Sequence, residues 1–496
     1  MSIRFYNTLT KKKEEFVSIE KDRVRMYTCG PTVYNYFHIG NARSFLMSDI
    51  IRRYLEYRGY EVKYVMNITD VDDKIINKAN ESNKSTKDIT DEYTQAFFED
   101  ISSLGIKRAS VNPKATEHIQ EIIDLIKKLV DKGIAYQVGN DVYYSIEKFE
   151  EYGKLSGKNI SDLIAGARVE VGEIKRNPLD FSLWKGMKPN EPFWESPWGK
   201  GRPSWHIECS AMAMKYLGET IDIHCGGNDL IFPHHENEIS QSEACNEKQF
   251  ANYWIHFGFL NLDNEKMSKS KGNIFTTRDI LSNYSANVLR FYYLQTHYAS
   301  PLNFTDEGLE GAKNGFERLQ NSISELKRRE KEKMYGKIEI EINDFENRFI
   351  EAMDDDLNSP KGMSVLFDLV KQVNLALQKE EGISEKSIKS ILSFFDRTFS
   401  GVFGLNIAET NSVDISDSIL SVIISKKENF DQMLDITLDE LNKKNIGMLF
   451  DKLIEKRKEA KTNKNWKLAD QIRDELKKSG ILLEDKKDGS TIWKIE

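Results

Sequence analysis

The chain has 496 residues, of which 39% are hydrophobic and 30% are charged, and its formal net charge is -8. No segment reaches the roughly 20 apolar residues of a membrane span, and the acidic balance excludes a polycation that binds nucleic acid over its whole surface. We therefore expect a cytoplasmic protein of about two to four domains, without a membrane anchor. Its four cysteines are too few for a disulfide scaffold, so we interpret them as reduced thiols or metal ligands.

Residues 1–115 alternate between strand-like and helix-like patterns. A strand-like run at 24–28 precedes the loop 29–41, a run of helical periodicity at 42–58 follows the loop, and a second strand-like run lies at 61–68. Strand, glycine-containing loop, helix and strand make a βαβ unit, whose loop is the place where such sheets bind nucleotides. The fold class predicted from this unit is α/β, with a Rossmann-type parallel sheet.

Within this loop, His38-Ile39-Gly40-Asn41 lies where the predicted helix begins. The unpaired amides and the dipole of a helix N-terminus favour an anion. Gly40 lets a base or a phosphate approach the backbone, and His38 and Asn41 can donate hydrogen bonds to phosphate oxygens. Taken alone, these four residues suit an ordinary turn with a buried histidine about equally well.

The end of the second strand also carries polar side chains. Thr69 and Asp70 follow this strand. Because the carboxyl ends of parallel strands face the ligand crevice, both residues are placed to contact a substrate. A turn that is capped by the aspartate is the alternative interpretation.

The pattern changes beyond about residue 115. A helix-like run at 119–129, a strand-like run at 141–145 and a loop rich in proline and tryptophan at 193–199 follow one another without a common period. This stretch is predicted to be an insertion into the Rossmann-type domain.

Two stretches of the chain hold residues that can bind a metal ion. Pro233 can open a helix on which His234 and Glu238 are i and i+4, on one face. Cys29 and Cys209 could complete a tetrad, and zinc is the metal that suits thiolate, imidazole and carboxylate together. The residues by themselves do not show that these four side chains meet. Two unreactive buried cysteines beside a polar helix start are the simpler interpretation.

A short run farther along, Lys266-Met267-Ser268-Lys269-Ser270, combines cations with small residues. Lysine ammonium groups can neutralise the charge that builds on a leaving pyrophosphate, and a flexible loop can close over a triphosphate. For such a run alone, a solvated surface loop is the better interpretation. Its occurrence after the turn at 38–41 is much harder to explain in that way.

The remainder of the chain is predicted to be mainly helical. Helical periodicity covers 276–298 and most of 306–405, and a link of low pattern follows at about 406–416. A helical hairpin at 454–478 precedes a β-hairpin around Asp488-Gly489. The predicted domains are 1–115 together with 205–300 (split Rossmann-type catalytic domain), 116–204 (insertion), 301–405 (helix bundle) and 417–496 (small α+β unit).

The pair of motifs at 38–41 and 266–270 resembles the two signature motifs of class I aminoacyl-tRNA synthetases. Asn41 stands where the first motif of that class usually ends in a second histidine. Asparagine still donates a hydrogen bond but brings no charge, so this position departs from the usual pattern.

Four further features are similar to one family within that class. They are Cys29 and the runs Trp-His-Ile-Glu-Cys at 205–209, His-His-Glu-Asn-Glu at 234–238 and Met-Asp-Asp-Asp-Leu-Asn at 353–358. On these residues the chain resembles the cysteinyl-tRNA synthetases nearly from end to end. The resemblance implies ATP-dependent activation of L-cysteine to cysteinyl-adenylate and its transfer to the 3′ end of tRNA(Cys). It also implies one zinc ion (Zn2+), which binds the substrate thiolate and is held by Cys29, Cys209, His234 and Glu238.

Such a zinc ion would give the pocket its selectivity. A soft metal prefers sulfur to a hydroxyl oxygen, whereas a pocket of fixed shape distinguishes poorly between cysteine and serine, which differ by one atom. Four protein ligands plus a thiolate require five-coordination or one loosely held ligand, and we expect Glu238 to be the weak one.

The resemblance implies further roles for single residues. Trp205 floors the cysteine pocket and Thr69 lines it. The helix bundle contacts the tRNA and the terminal unit reads the anticodon, where Trp493 stacks on a base or else belongs to a small core. A monomer is expected. ATP with Mg2+ is expected to contact the residues of the two motifs, which are His38, Gly40, Asn41, Lys266 and Lys269.

The other histidines and cysteines of these stretches receive plainer interpretations. His224, at the end of a strand-like run, contacts the nucleotide or makes a structural hydrogen bond. His206 and His235 are interpreted as structural, and Cys225 and Cys245 as simple thiols.

Three other functions stay open on the sequence. A ligase that joins cysteine to a sugar amine would share the zinc site and both motifs, but it needs no anticodon reader. Another adenylate-forming class I enzyme would leave the cysteine and histidine residues unused. A non-catalytic RNA-binding protein would not need the intact motifs at 38–41 and 266–270.

Overall fold

The computed structural model describes residues 2–159, 175–262, 265–266, 275–406, 422–434, 446–485 and 491–495. The chain divides into two compact units, Met1–Asn406 and Ile407–Glu496. The first unit contains the sheets and helices that hold the predicted site. Among the described helices, none is both long enough and apolar enough to cross a lipid bilayer.

Strands and helices alternate through the first unit. Its described strands are β1 (Arg4–Asn7), β2 (Lys12–Glu15), β3 (Arg23–Thr28), β4 (Glu61–Met66), β5 (Ala135–Val138), β6 (Asp141–Tyr144), β7 (Phe181–Gly186), β8 (Gly201–Pro203), β9 (Ile221–Gly227), β10 (Ala251–Phe257), β11 (Leu260–Leu262), β12 (Glu265–Lys266) and β13 (Leu302–Phe304). Its described α-helices are α1 (Ile39–Tyr57), α2 (Asp73–Ser82), α3 (Thr86–Ser103), α4 (Ile119–Asp131), α5 (Trp205–Leu217), α6 (Glu236–Asn246), α7 (Thr277–Leu281), α8 (Ala286–Leu294), α9 (Asp306–Lys331), α10 (Asn343–Asp354), α11 (Ser359–Leu377) and α12 (Glu385–Phe395).

A four-stranded sheet in the order β10-β9-β3-β4 organises this unit. All neighbouring strands in it are parallel. Val24, Met26 and Tyr27 of β3 are fully buried, as expected for an inner strand of a parallel sheet that is covered on both faces. The predicted α/β fold with a Rossmann-type parallel sheet is confirmed.

Helix α1 connects β3 to β4 and completes the predicted βαβ unit. Its apolar residues Leu46, Ile50 and Tyr54 recur at helical spacing and are buried. His38 caps the helix, because its side chain accepts a hydrogen bond from the backbone N–H of Asn41. The helix therefore starts within the loop for which the sequence predicts nucleotide binding.

Strands β5 to β8 form a separate antiparallel sheet, which lies between the two halves of the parallel sheet along the chain. Together with α4, this sheet encloses an apolar core that includes Ile126, Val142 and Trp184. The predicted helix at 119–129 and the predicted strand at 141–145 are both present. The predicted domain boundaries themselves stay predictions.

The prediction of one helix over 276–298 is wrong. Helix α7 ends at Leu281 and α8 begins at Ala286. Ser285 interrupts the helix, because its side chain accepts a hydrogen bond from the Val288 N–H and so caps a new helix.

Helices α9 to α12 form the predicted helical region, which confirms that part of the fold class. Leu319, Phe349 and Leu366 are fully buried in it. Tyr54 of α1 donates a 2.6 Å hydrogen bond to Asp354 at the end of α10. This bond joins the helical region directly to the βαβ unit.

The second unit is small and combines helices with a β-hairpin. Helix α13 (Lys427–Leu434) comes first. Helices α14 (Ile446–Thr462) and α15 (Trp466–Lys477) follow it, and these two form the predicted helical hairpin. Strands β14 (Ile481–Asp485) and β15 (Thr491–Ile495) pair antiparallel, as predicted. Beyond Asn406, the predicted link at 406–416 lies outside the described residues. The core includes Phe430, Leu453 and Ile472.

Candidate active site

Four buried side chains meet at the carboxyl end of β3. Cys29 follows this strand, Cys209 lies on α5, and His234 and Glu238 lie around the start of α6. Their donor atoms all lie within 4.8 Å of one another. The structure thus brings together the four residues for which the sequence predicts a metal site, and we call them the cluster.

Glu238 and Cys29 each make several close contacts in the cluster. His234 Nε2 lies 3.0 Å from Glu238 Oε1, and Cys29 Sγ lies 3.3 Å from the same oxygen. Cys29 Sγ also lies 3.4 Å from His234 Nε2 and 4.0 Å from Cys209 Sγ. Two thiols, one imidazole and one carboxylate are a donor set typical of zinc.

The chain reaches this geometry through an irregular turn before α6. The α-helix begins at Glu236, three residues after the predicted Pro233, because a wider π-helical turn, Ile231–His235, precedes it. Within this turn the backbone of Phe232 is extended, with φ -140° and ψ 132°. His234 and Glu238 still face one another across one turn, as their i, i+4 spacing predicts.

The surroundings of the cluster favour the ionised forms of Cys209 and Glu238. A hydrogen bond from Cys29 lowers the pKa of Cys209 to about 6, although burial alone would raise it. Burial raises the pKa of Glu238, but contacts with His224 and His234 outweigh burial and lower it to about 2. Both shifts favour the ionised forms, a thiolate and a carboxylate, and this pair attracts a cation.

The surroundings of the cluster favour the protonated forms of its other two residues, His234 and Cys29. Burial lowers the pKa of His234, but Glu238 and Cys209 outweigh burial and raise it to about 10. Burial raises the pKa of Cys29 well above its ordinary value. Because metal ligands are deprotonated, a metal ion would replace the protons on both groups.

His224 and His235 lie behind the cluster. His224 Nε2 is 2.9 Å from Glu238 Oε2, and His235 Nε2 is 3.4 Å from Cys29 Sγ. The buried His224 ring stacks on Trp254 with centroids 4.3 Å apart, which favours its structural hydrogen bond over a nucleotide contact. These two histidines form a second possible ligand group with the carboxylate and thiol that they contact. If the metal ion binds the cluster instead, His224 and His235 would orient its ligands Glu238 and Cys29.

Trp205 and His206 cover another side of the cluster. The Trp205 ring stacks on the His234 ring, with centroids 4.2 Å apart and an interplanar angle of 24°. Trp205 is 36% exposed, so its ring is accessible to a substrate that approaches the cluster. His206 Nδ1 lies 2.8 Å from His234 Nδ1, in a position to orient that ring. Sequence analysis missed this contact because no regular spacing links the two histidines.

Thr69 lies beside the first residues of the loop 29–41. Its N–H donates to the Pro31 carbonyl at 3.0 Å, and its carbonyl accepts from the Val33 N–H at 3.1 Å. Asn67 Nδ2 donates to the Thr69 hydroxyl at 3.1 Å. A Cβ on Gly30 would lie 1.7 Å from the Asn67 carbonyl oxygen, so only glycine allows this close approach. The role of Thr69 in the cysteine pocket stays a prediction.

The residues predicted to bind phosphate lie at the N-terminus of α1, and we call residues 38–41 the phosphate turn. Gly40 and Asn41 are in the first turn of the helix, where backbone amides have no partner within the helix. This first turn contains no acidic residue. The Asn41 side chain is exposed, whereas His38 and Gly40 are half-buried. A partly exposed helix start without acidic side chains is a favourable place for an anion.

The lysine motif begins on β12 and continues outside the described residues. The backbone of Lys266 pairs with Asn261 of β11, whereas Lys269 lies within 267–274, which the structure does not describe. On the far side of the motif, the carbonyl of Phe275 accepts a 3.1 Å hydrogen bond from the N–H of Ile39. The chain that follows the motif is therefore attached to the phosphate turn.

Three family models match the chain. The model for the catalytic domain of tRNA synthetases class I (C) matches residues 15–314, which is more than half of the chain. The DALR domain model matches residues 348–408. The model for the cysteinyl-tRNA ligase anticodon binding domain matches residues 450–492.

Two relatives match from end to end. The cysteine–tRNA ligase of Geobacillus sp. (strain WCH70) is 50% identical over 498 residues, covering 99% of this chain and 99% of that protein. The cysteine–tRNA ligase of Clostridioides difficile (strain 630) is 49% identical over 499 residues, covering 99% of this chain and 100% of that protein.

Solved structures share the fold at much lower identity. A complex of Mycobacterium tuberculosis methionyl-tRNA synthetase with methionyl-adenylate has a TM-score of 0.55 at 14% identity, covering 77% of this chain and 89% of that chain. The LeuRS of Agrobacterium radiobacter K84, in a ternary complex, has a TM-score of 0.57 at 11% identity, covering 78% and 85%. At these identities the likeness concerns the fold.

Proposed function

The chain belongs to the family of cysteine–tRNA ligases, and on that basis we propose that its cluster binds one zinc ion that selects cysteine by its thiolate. The observation that carries the proposal is the convergence of Cys29, Cys209, His234 and Glu238 within 4.8 Å. Their chemistry fits zinc better than magnesium or calcium, which prefer oxygen ligands alone.

Zinc in the cluster would supply a soft Lewis acid for the substrate sulfur. The protein's own part is to keep Cys209 and Glu238 ionised and to hold His234 in place, which the lowered pKa values and the contact with His206 support. Trp205 lies against His234 on the accessible side, so it can pack on the substrate side chain and limit the access of water. Serine would offer a hydroxyl oxygen, which a soft metal binds less well.

The phosphate turn and the lysine motif are proposed to bind ATP with Mg2+. His38, Gly40 and Asn41 would contact the phosphates at the start of α1, where the helix favours negative charge. Lys266 and Lys269 would stabilise the charge that develops on the leaving pyrophosphate.

The reaction is proposed to follow two steps. First, a carboxylate oxygen of cysteine attacks the α-phosphate of ATP, which forms cysteinyl-adenylate and releases pyrophosphate. Second, the hydroxyl of the terminal tRNA ribose attacks the carbonyl carbon and AMP leaves. No covalent bond to a side chain is needed, so positioning and charge stabilisation dominate.

The helical region and the second unit are proposed to bind tRNA(Cys). Trp466, at the turn of the helical hairpin, is 58% exposed and lies next in sequence to Asn465 and Lys467. An exposed aromatic ring beside a cation can stack on an unpaired base. The side chain of Trp493 lies outside the described residues, so its stacking role stays a prediction. A monomer in the cytoplasm is also expected.

Pyrophosphate exchange with each amino acid, followed by tRNA charging, tests the proposed function. We expect exchange that depends on cysteine and charging of tRNA(Cys). Cysteine-dependent exchange without charging would favour a ligase that joins cysteine to a sugar amine. Exchange with a different amino acid would refute the proposed role of the cluster.

A further inference from the structure

Arg43 is a buried cation in the helix that carries the phosphate turn. It lies two residues after Asn41 and is 1% exposed. Its guanidinium donates hydrogen bonds to four backbone carbonyls rather than to side chains. Nη1 donates to the oxygens of Gly258 at 2.9 Å and Phe259 at 3.1 Å, and Nη2 donates to those of His297 at 3.2 Å and Ser300 at 2.7 Å.

This arrangement costs free energy that a neutral side chain would avoid. Burial lowers the pKa of Arg43 to about 10, so the group is still charged at neutral pH. Among the described residues, no carboxylate forms an ion pair with it. Arg290 is a useful contrast, because it is equally buried but pairs with Asp49. A buried charge that faces only carbonyl groups indicates that this position requires the rigid, planar set of hydrogen-bond donors of a guanidinium group.

The four carbonyls belong to the two segments that hold the strand of the lysine motif. Gly258 and Phe259 connect β10 to β11, and the segment that ends at Ser300 leads into β13. Strand β11 pairs with β13 on one side and with β12 on the other, where Asn261 faces Lys266. Arg43 is therefore linked to the backbone of Lys266 through the segment of Gly258 and Phe259 and through strand β11.

The two segments are packed so closely that a side chain at position 258 would not fit between them. A Cβ on Gly258 would lie 2.3 Å from the carbonyl oxygen of Ser300. The N–H of Gly258 donates to the Tyr298 carbonyl at 2.9 Å, and the N–H of Leu302 donates to the Phe259 carbonyl at 2.9 Å. These bonds join the two segments through their backbones, so a side chain that binds their carbonyls also restrains β11 and, through its pairing, β12.

The chain on the far side of the motif is tied to the same helix start. The N–H of Ile39 donates to the Phe275 carbonyl at 3.1 Å, and the N–H of Thr277 donates to the Phe37 carbonyl at 3.2 Å. These bonds involve backbone only. Arg43 supplies the matching attachment on the near side.

We propose that Arg43 is a positioning residue for adenylate formation, which sets the distance between the phosphate turn and the strand that carries Lys266. This inference rests on the proposed function, since both elements are proposed to contact ATP. Adenylate formation needs both elements at once, and a displacement of about 1 Å can cost about 100-fold in rate. Cysteine binding at the cluster does not depend on this distance.

Arg43→Lys tests the proposal, because lysine keeps the charge but cannot bind four carbonyls of two segments. We expect kcat for cysteine-dependent pyrophosphate exchange to fall by about 10- to 100-fold, with KM for cysteine unchanged within about twofold. Arg290→Lys is the matched control. It removes an equally buried fork that binds Phe403, Leu104 and Asp49, so it should lower the melting temperature while kcat stays near the wild-type value.

A double-mutant cycle with Lys266→Ala separates positioning from general damage. If Arg43 acts by placing Lys266, Arg43→Lys should cost less than about threefold in kcat when Lys266 is already alanine. The same fold loss in both backgrounds would overturn the proposal, and so would equal kcat losses in Arg43→Lys and Arg290→Lys.

Two further outcomes are decisive. If Arg43→Lys does not fold, Arg43→Gln, which keeps a neutral donor, replaces it in the cycle. Failure of both variants to fold would overturn the positioning role in favour of a purely structural one. Failure of the proposed function is recognised separately, because the wild-type protein would then show no cysteine-dependent exchange.

Discussion

Cys29 of the cluster and the phosphate turn lie on the same stretch after β3, but the two sites depend on different kinds of interaction. Each cluster residue contacts another through its side chain, and one contact joins Cys29 to Glu238 across 209 positions of the chain. The phosphate turn instead depends on the start of α1, where the backbone dipole of the helix favours an anion. A single side-chain substitution should therefore abolish metal binding at the cluster but weaken phosphate binding only in part.

The largest effect is expected for Cys209→Ser. A serine hydroxyl is not ionised at neutral pH and is a poor zinc ligand, so bound zinc should fall from about one ion per chain to below about 0.1. Cysteine-dependent pyrophosphate exchange should be lost with it. Metal analysis of the purified variant and an exchange assay provide the two measurements.

Cys245→Ser is the matched control for this change. Cys245 is also buried, but it belongs to neither group of possible ligands among the described residues. Its zinc content should equal that of the wild type. Full zinc in Cys209→Ser would remove Cys209 from the site and undo the contrast between the two regions.

Lys269→Ala should affect chemistry without affecting the cluster. Loss of a cation that stabilises the leaving pyrophosphate should lower the rate of adenylate formation by about 100- to 1,000-fold. The dissociation constant of cysteine, from equilibrium binding, should not change. Lys84→Ala is a control, because Lys84 pairs with Glu92 on the surface. Equal losses in adenylate formation and cysteine binding would contradict the assignment.

His206→Ala should weaken the cluster without destroying it. The His234 ring would lose the neighbour that orients it, so zinc affinity should fall by about 10- to 100-fold. Competition with a chelator of known affinity measures this change. His118→Ala is the control, because His118 contacts Tyr216 and Lys114 instead. An unchanged zinc affinity in His206→Ala would mean that the ligands themselves fix the cluster.

Trp466→Ala tests the proposed tRNA contact of the second unit, which is separate from the cluster and the phosphate turn in the sequence. Loss of one stacked base should lower kcat/KM for tRNA charging by about 5- to 100-fold, while exchange without tRNA stays unchanged. Trp466→Phe should retain most of the activity, since it keeps an aromatic face. Wild-type charging by the alanine variant would show that this exposed ring does not bind tRNA.

The smallest effect is expected for Asp73, whose exposed carboxylate pairs with Lys185 and with the buried Arg202. Burial raises the pKa of Asp73, but Lys185 and Arg202 outweigh burial and lower it below its ordinary value. A lowered pKa in the folded protein stabilises it above the unfolded pKa of about 4, and this contribution is lost as the pH falls through the folded value.

Asp73→Asn should therefore lower the melting temperature at pH 7 only slightly. The side chain of Asp73 is 55% exposed, so solvent screening should keep the change in unfolding free energy below about 1 kcal/mol. The difference from wild type should shrink between about pH 5 and about pH 3. Thermal unfolding across this range checks the sign, and a difference that grows toward acid would contradict it.

Local sequence patterns were sufficient for most secondary structure. Apolar positions at helical spacing predicted α1 and the C-terminal helical hairpin, because this periodicity depends only on residues three or four positions apart. The prediction failed at 276–298, where the apolar pattern continues across Ser285 although that serine caps a new helix. The i, i+4 spacing of His234 and Glu238 indicated that both lie on one helix face, but only the resemblance between motifs favoured the complete set with Cys29 and Cys209.

Only the tertiary structure decided which of those residues meet. Cys29 and Glu238 converge because β3 and β9 are neighbours in the parallel sheet and α6 follows β9. Arg43 follows the same rule: no motif in the sequence singled it out, and its acceptors at Gly258 and Ser300 lie 215 and 257 positions away. Helical and strand periods are properties of neighbouring residues, whereas a binding site consists of contacts between distant segments. Such contacts exist only once the sheet has assembled.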